Sequence, residues 1–98
     1  MNIITDPRVD KQILKLDQKD QAKINEYIEL FNEYGFDLSQ KYIKKINKTV
    51  WELRPGSWRV FILIIKPNCY VIHLMRKQSQ KMTKETKKVI EQRAKEYI

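Results

Sequence analysis

Arg54 and Arg59 bracket a short Pro55-Gly56-Ser57 turn, and a second basic pair, Arg76-Lys77, closes a later strand-like stretch. Half-buried strands rarely carry arginine near their ends unless the guanidinium has an anion to hold, and its planar fork suits a phosphodiester. Transesterification at phosphate gathers negative charge on the nonbridging oxygens. Fixed cations that meet this charge stabilise the transition state more than the ground state. Such a reaction also needs a proton taken from a hydroxyl and another delivered to the leaving oxygen. Glu52 lies two residues before Arg54 and shares its strand face, and His73 is the only imidazole of the chain. Either has suitable proton chemistry. Each of these residues also has a structural reading: Arg54 paired with Glu52, Arg76-Lys77 as a charged strand end, His73 as a core histidine.

The charge is segregated along the chain. Residues 1–40 hold five Lys/Arg against eight Asp/Glu, whereas residues 41–98 hold fifteen against four, giving the total of +8. A domain that grips a polyanion gathers its cations in this way. Lys44, Lys45, Lys81, Lys84 and Lys88 are candidates for positioning a nucleic-acid backbone, contacts that give affinity without sequence choice. Solvated lysines are the alternative. Trp58 and Tyr70 are candidates for stacking a base, or simply for packing.

Ninety-eight residues, 42% hydrophobic and 10% aromatic, predict one domain over 1–98 that folds without metal or disulfides. One cysteine, Cys69, forms no internal disulfide, and no His/Cys cluster has zinc-ligand spacing. No cofactor is expected. The opening residues lack the apolar core of a signal peptide, and the longest aliphatic run, Val60 to Ile65, falls far short of a membrane span. A cytoplasmic protein without membrane contact is expected.

The elements that must position these residues read as α+β. Asp6-Pro7 is a helix start, with an acceptor at the cap and proline at the first helical position. A second helix opens near Asp17 to Asp20, buries Ile24, Tyr27, Ile28, Phe31 and Tyr34 on one face, and stops at Gly35. Residues 36–49 read as a connection with one short helical turn. From Thr49 the period changes to two, with strands at about 50–54, 58–66 and 70–76. The middle strand is apolar on both faces and therefore central. Alternation puts Trp51 and Leu53 in the core and leaves Glu52 and Arg54 to a surface or cleft. A last, lysine-rich helix begins around Thr83. The expected architecture is two N-terminal helices packed on a small antiparallel sheet, with a C-terminal helix.

Several stretches resemble, in order, the RelE/HigB-type toxins of type II toxin–antitoxin systems, in particular their phage-derived, HigB-like branch. They are Lys19-Asp20-Gln21-Ala22-Lys23-Ile24, Glu33-Tyr34-Gly35, Trp51-Glu52-Leu53-Arg54, Arg59-Val60-Phe61, His73 followed by Arg76-Lys77, and Lys81 with Arg93 and Tyr97. The resemblance implies a RelE-like fold and a metal-free endoribonuclease (mRNA interferase) that acts on mRNA, usually in the ribosomal A site. Cleavage is by attack of the ribose 2′-hydroxyl on the neighbouring phosphodiester. It also implies a cognate antitoxin, often with a helix-turn-helix domain. Carried over by motif, Arg59 is the arginine opening the central strand, Arg54 that of the tryptophan-led motif, and Arg76-Lys77 the basic pair after the last strand.

Two departures bear on mechanism. The lysines that some RelE proteins carry in the first of these strands fall at Val50 and Glu52, and the usual Lys-Thr-Pro entry to the last helix is replaced by Lys81-Met82-Thr83. The residues therefore also admit a regulatory module that binds RNA or DNA without cleaving it and works with an antitoxin-like partner. A third reading is a repressor component whose basic helix receives an acidic antitoxin segment.

Overall fold

The computed structural model describes residues 2–77 and 82–98. In chain order the elements are β1 (Asn2–Thr5), α1 (Pro7–Leu14), α2 (Gln18–Tyr34), a 3-10 turn (Gly35–Asp37), β2 (Ile43–Lys45), β3 (Val50–Leu53), β4 (Trp58–Ile65), β5 (Asn68–Arg76) and α3 (Lys84–Glu96). The strands form one sheet in the order β1-β5-β4-β3-β2.

The helix ends sit where the side chains demand. Asp6 accepts from the Arg8 backbone N–H ahead of Pro7, Asp17 accepts from that of Asp20, and Thr83 from that of Thr86. Each satisfies a donor that the first helical turn leaves open. At the end of α2 the chain reverses through Gly35 at φ 56°, a conformation that costs a residue with a Cβ about 1–2 kcal/mol.

Both faces of the sheet are covered, so β4 is apolar on both sides. Val60 and Ile62 point with Leu53, Val71 and Leu74 into a core closed by Val9 and Ile13 of α1 and Ile24, Tyr27 and Phe31 of α2. Phe61, Leu63, Val50 and Ile72 point the other way and pack under Ile90 and Ala94 of α3. Leu53 is buried as expected, and Trp51 is half-buried against Phe36 at the margin of the first core.

The α+β class and the C-terminal helix match the expectation, while the sheet is larger and mixed. β1 joins its edge parallel to β5, with Asn2 to Thr5 opposite Asn68 to Val71. Only four residues long and partly exposed, it shows no buried alternation to be read. β2 closes the other edge within the segment expected to be a connection, its three residues being too few to show a period. The expected helical turn is the 3-10 turn before it. Between Phe61 and Ile62 the β4–β5 register slips, leaving Ile72 as an extra residue between Val71 and His73.

Candidate nucleic-acid cleavage site

Cross-strand register gathers five of the candidate side chains on the sheet face that carries α3. Directly opposed residues of an antiparallel pair share a face. Lys44 opposes Glu52, Glu52 opposes Phe61, and Phe61 opposes His73. One step beyond the Leu53–Val60 pair, Arg54 comes beside Arg59, which in turn opposes Met75. Lys44, Glu52, Arg54, Arg59 and His73, contributed by four strands and their ends, thus occupy two adjacent rows. α1 and α2 lie on the opposite face, and α2 carries four carboxylates against two lysines.

Arg59 is the least solvated cation of the group, 8% exposed. Its Nη1 donates to the carbonyls of Gly56 at 2.9 Å and Trp58 at 2.7 Å, which fixes the guanidinium against the hairpin. Gly56 turns the chain at φ 59° to present that carbonyl. Burial, and then the neighbouring Arg54 cation, lower the Arg59 pKa from the usual guanidinium range, while Glu52 pulls it back. Among the described residues, Arg54 Nε is shielded from solvent without a hydrogen-bond partner, and Glu52 Oε1 stands off at 3.6 Å. Arg59 is buried and Arg54 half-exposed, and two neighbouring guanidinium groups with one carboxylate near them form a site that an arriving phosphate would stabilise.

At the far end of the row His73 stacks on Phe61 with ring centroids 5.9 Å apart. Arg93 of α3 donates to the Ile72 carbonyl at 2.8 Å and stands 3.4 Å from His73 Nδ1, so it clamps the slipped register beside the ring. Burial, and then the Arg93 cation, push the His73 pKa down to about 4. Near neutral pH the imidazole is uncharged, with one ring N–H to donate and one nitrogen able to accept.

The remaining candidates lie elsewhere. The Arg76 guanidinium lies 4.7 Å from the Trp58 ring centre, on the α1/α2 face. Lys77 follows β5 with its backbone N–H bonded to the Ser57 carbonyl, and its side chain is exposed. Lys45 turns to the α1/α2 side, over the Trp51 ring at 5.8 Å. Lys84 and Lys88 are exposed on the side of α3 away from Thr86, Ile90 and Ala94. Lys81 lies outside the described residues. Of the candidate stacking rings, Trp58 is buried beneath Arg76, and Tyr70 already stacks on Tyr97 at 4.5 Å. Tyr97 itself donates to Asp6 and serves the junction of α1 and α3. Among the described residues, no group of three His, Cys, Asp or Glu is placed to hold a metal ion.

Sequence reasoning left two features unread. Arg93 joined the resemblance without a role, although its position between Ile90 and Ala94 on the buried stripe of α3 aims it at the sheet. Phe36 and Trp51 meet at 4.8 Å beside Lys45, a juxtaposition that depends on the unread strand β2.

Comparison with known proteins bears on the fold and the family. No curated protein matches the chain. Among solved structures, a chain of the archaeal RelE–RelB complex from Pyrococcus horikoshii OT3 superposes with a TM-score of 0.68 at 17% identity, covering 78% of this chain and 93% of that one. The fold is thus that of a RelE-type protein, as the resemblance implied. Residues 11–95 match the family described as phage-derived protein Gp49-like, and the chain belongs to that family.

Proposed function

We propose that the protein is the toxin of a type II toxin–antitoxin pair, a metal-independent endoribonuclease that cuts mRNA on the ribosome in the cytoplasm. The observation that supports this reading is the placement of the buried Arg59 beside the half-exposed Arg54 on one face, with Glu52 as the carboxylate near both. Two guanidinium groups there face one carboxylate, Glu52, which is ion-paired to Arg54 at 3.6 Å.

In this reading Arg54 and Arg59 bind the nonbridging oxygens of the scissile phosphate. Glu52 accepts the proton of the 2′-hydroxyl as its oxygen attacks phosphorus. The bond to the 5′-oxygen breaks, leaving a 2′,3′-cyclic phosphate and, after that oxygen takes a proton, a 5′-hydroxyl. Lys44 sits at the open edge opposite Glu52, where its cation meets the flanking backbone. His73 lies two strand spacings from Glu52, roughly 10 Å, and being neutral it can receive a proton or donate a ring N–H to the substrate. Arg76 and Lys77 guide RNA from the hairpin's far side rather than touch the reacting phosphate.

The partner is an antitoxin that covers the cationic site. The similar fold was solved as a RelE–RelB complex, which supports this assignment, and a helix-turn-helix domain in the partner would follow the pattern of related systems. The second reading, a module that binds without cutting, draws on Val50 and Glu52 standing where other RelE proteins carry lysines. Val50 is sealed under α3 at 1% exposed, so no cation reaches the site from that position. Expression of the chain without a partner should arrest growth, and Arg59→Ala should relieve the arrest. Arrest by a well-folded Arg59→Ala chain, or ribosome binding with mRNA left whole, would remove the nuclease reading.

A further inference from the structure

We propose that the groove at the β2 edge is a subsite for one base of single-stranded RNA, adjoining the phosphate held by Arg54. The proposal rests on the nuclease reading for the identity of that phosphate, while its own support is separate.

The groove encloses about 520 Å³ and is lined by Phe36, Trp51, Gln40 and the cations Lys44, Lys45 and Arg54, together with aliphatic side chains. Phe36 stays 41% exposed, even though one edge meets Phe31 at 5.7 Å and its ring meets Trp51 at 4.8 Å, tilted by 47°. The two rings form an open aromatic floor with Lys45 over Trp51. Among the described residues, three cations and no carboxylate line the groove.

An occupant must therefore be anionic and must also present a flat, weakly polar face. A nucleotide of single-stranded RNA does both, because each base brings its own phosphate and stacks on aromatic rings whatever its identity. An acidic peptide satisfies the lysines and leaves the ring floor uncovered. Continuity decides the direction: Arg54 belongs both to this groove and to the pair facing Glu52. A strand whose phosphate sits on Arg54 and Arg59 would round the sheet edge at Arg54 to lay a neighbouring base over Phe36 and Trp51 on the α1/α2 side. Gln40, at the rim, supplies a donor and an acceptor to a base edge.

The test uses the full chain with short single-stranded RNA carrying 2′-O-methyl groups, which cannot be cut, at low salt, where backbone contacts are strong. Anisotropy of a labelled oligonucleotide gives affinity. Trp51 emission, isolated in a Trp58→Phe chain, reports stacking. The subsite predicts that RNA quenches Trp51 whereas inorganic polyphosphate and polyglutamate do not. It also predicts that Phe36→Leu weakens RNA binding about tenfold and leaves polyphosphate binding unchanged, with thermal melts confirming folded variants. Equal binding of RNA and polyphosphate, an unaltered Phe36→Leu chain, or quenching by polyglutamate in place of RNA would each overturn it. Base-dependent binding by a chain that leaves mRNA uncut would overturn the nuclease reading and leave the subsite standing. Cutting of mRNA without any base-dependent binding would do the reverse.

Discussion

Replacing Arg59 by methionine should separate activity from stability. The aliphatic stem is kept, so the packing against the hairpin survives, while the guanidinium is lost. The two Nη1 bonds to the Gly56 and Trp58 carbonyls are worth about 1 kcal/mol each, net of solvation. Against this loss stand relief from burying a cation at 8% exposure and relief from the adjacent Arg54 charge. The opposing effects nearly cancel, and the change in stability should stay within about 1 kcal/mol, which for a domain of this size shifts Tm by no more than about 8 °C. Activity has no such compensation. Removing one fixed donor from a developing phosphorane costs roughly a hundred- to thousandfold in rate, about 3–4 kcal/mol of transition-state stabilisation. Arg59→Lys keeps the charge without the planar fork and should retain about a tenth of the rate. Thermal melts together with cutting rates of purified protein on translating ribosomes measure both quantities. A folded Arg59→Met chain that cuts at the parental rate would refute the reasoning, and so would a fall in rate that merely tracks loss of fold.

Three further outcomes follow from the geometry. The His73 pKa, pushed down to about 4, lies below the ordinary histidine value, so between about pH 6.5 and pH 4 the unfolded chain binds the extra proton and stability must fall as pH falls. His73→Phe, which keeps the stack on Phe61, should flatten that part of a pH-dependent melting curve, and Arg93→Gln should raise the His73 pKa in an NMR titration. Asp6, 2% exposed, accepts from the Arg8 backbone and guanidinium and from Tyr97, which together hold its carboxyl well below the carboxylate range. Asp6→Asn should cost roughly 2–3 kcal/mol, seen as a lower melting temperature with cutting unchanged at temperatures where the chain stays folded. Gly56→Ala meets nothing within 4 Å of the new Cβ but forces alanine to φ 59°. It should destabilise by about 1 kcal/mol and slow cutting by moving the carbonyl that holds Arg59, whereas Gly56→Asn should be milder in a denaturant titration.

The parts of this molecule written in local chemistry were the legible ones. Asp6-Pro7, Asp17 and Gly35 mark helix ends because capping depends on residues two to four apart. The apolar run from Val60 to Ile65 identifies the central strand because both its faces are covered. What local pattern cannot carry is pairing between distant segments. β1 finds β5 across more than sixty residues, and three residues of β2 acquire a face only by opposing β3. Glu52 and Arg54 were correctly given a face by alternation, and Lys44 joined them only through β2. Arg76 stands three residues after His73, so alternation along β5 sets it on the opposite face, over Trp58 and away from Arg59. The aromatic floor of Phe36 and Trp51 was invisible for the same reason as β2.

In the proposed reaction the buried Arg59 and its neighbour Arg54 drive 2′-hydroxyl attack on a phosphodiester. Its most direct measurement is the chemistry of the cut ends, taken from mRNA incubated with the purified chain and translating ribosomes in matched Arg59 and Arg59→Met reactions. A 2′,3′-cyclic phosphate on one fragment and a 5′-hydroxyl on the other, both depleted by the substitution, are the predicted products. Ends bearing 5′-phosphate, or intact mRNA on ribosomes that have bound the protein, would contradict the account.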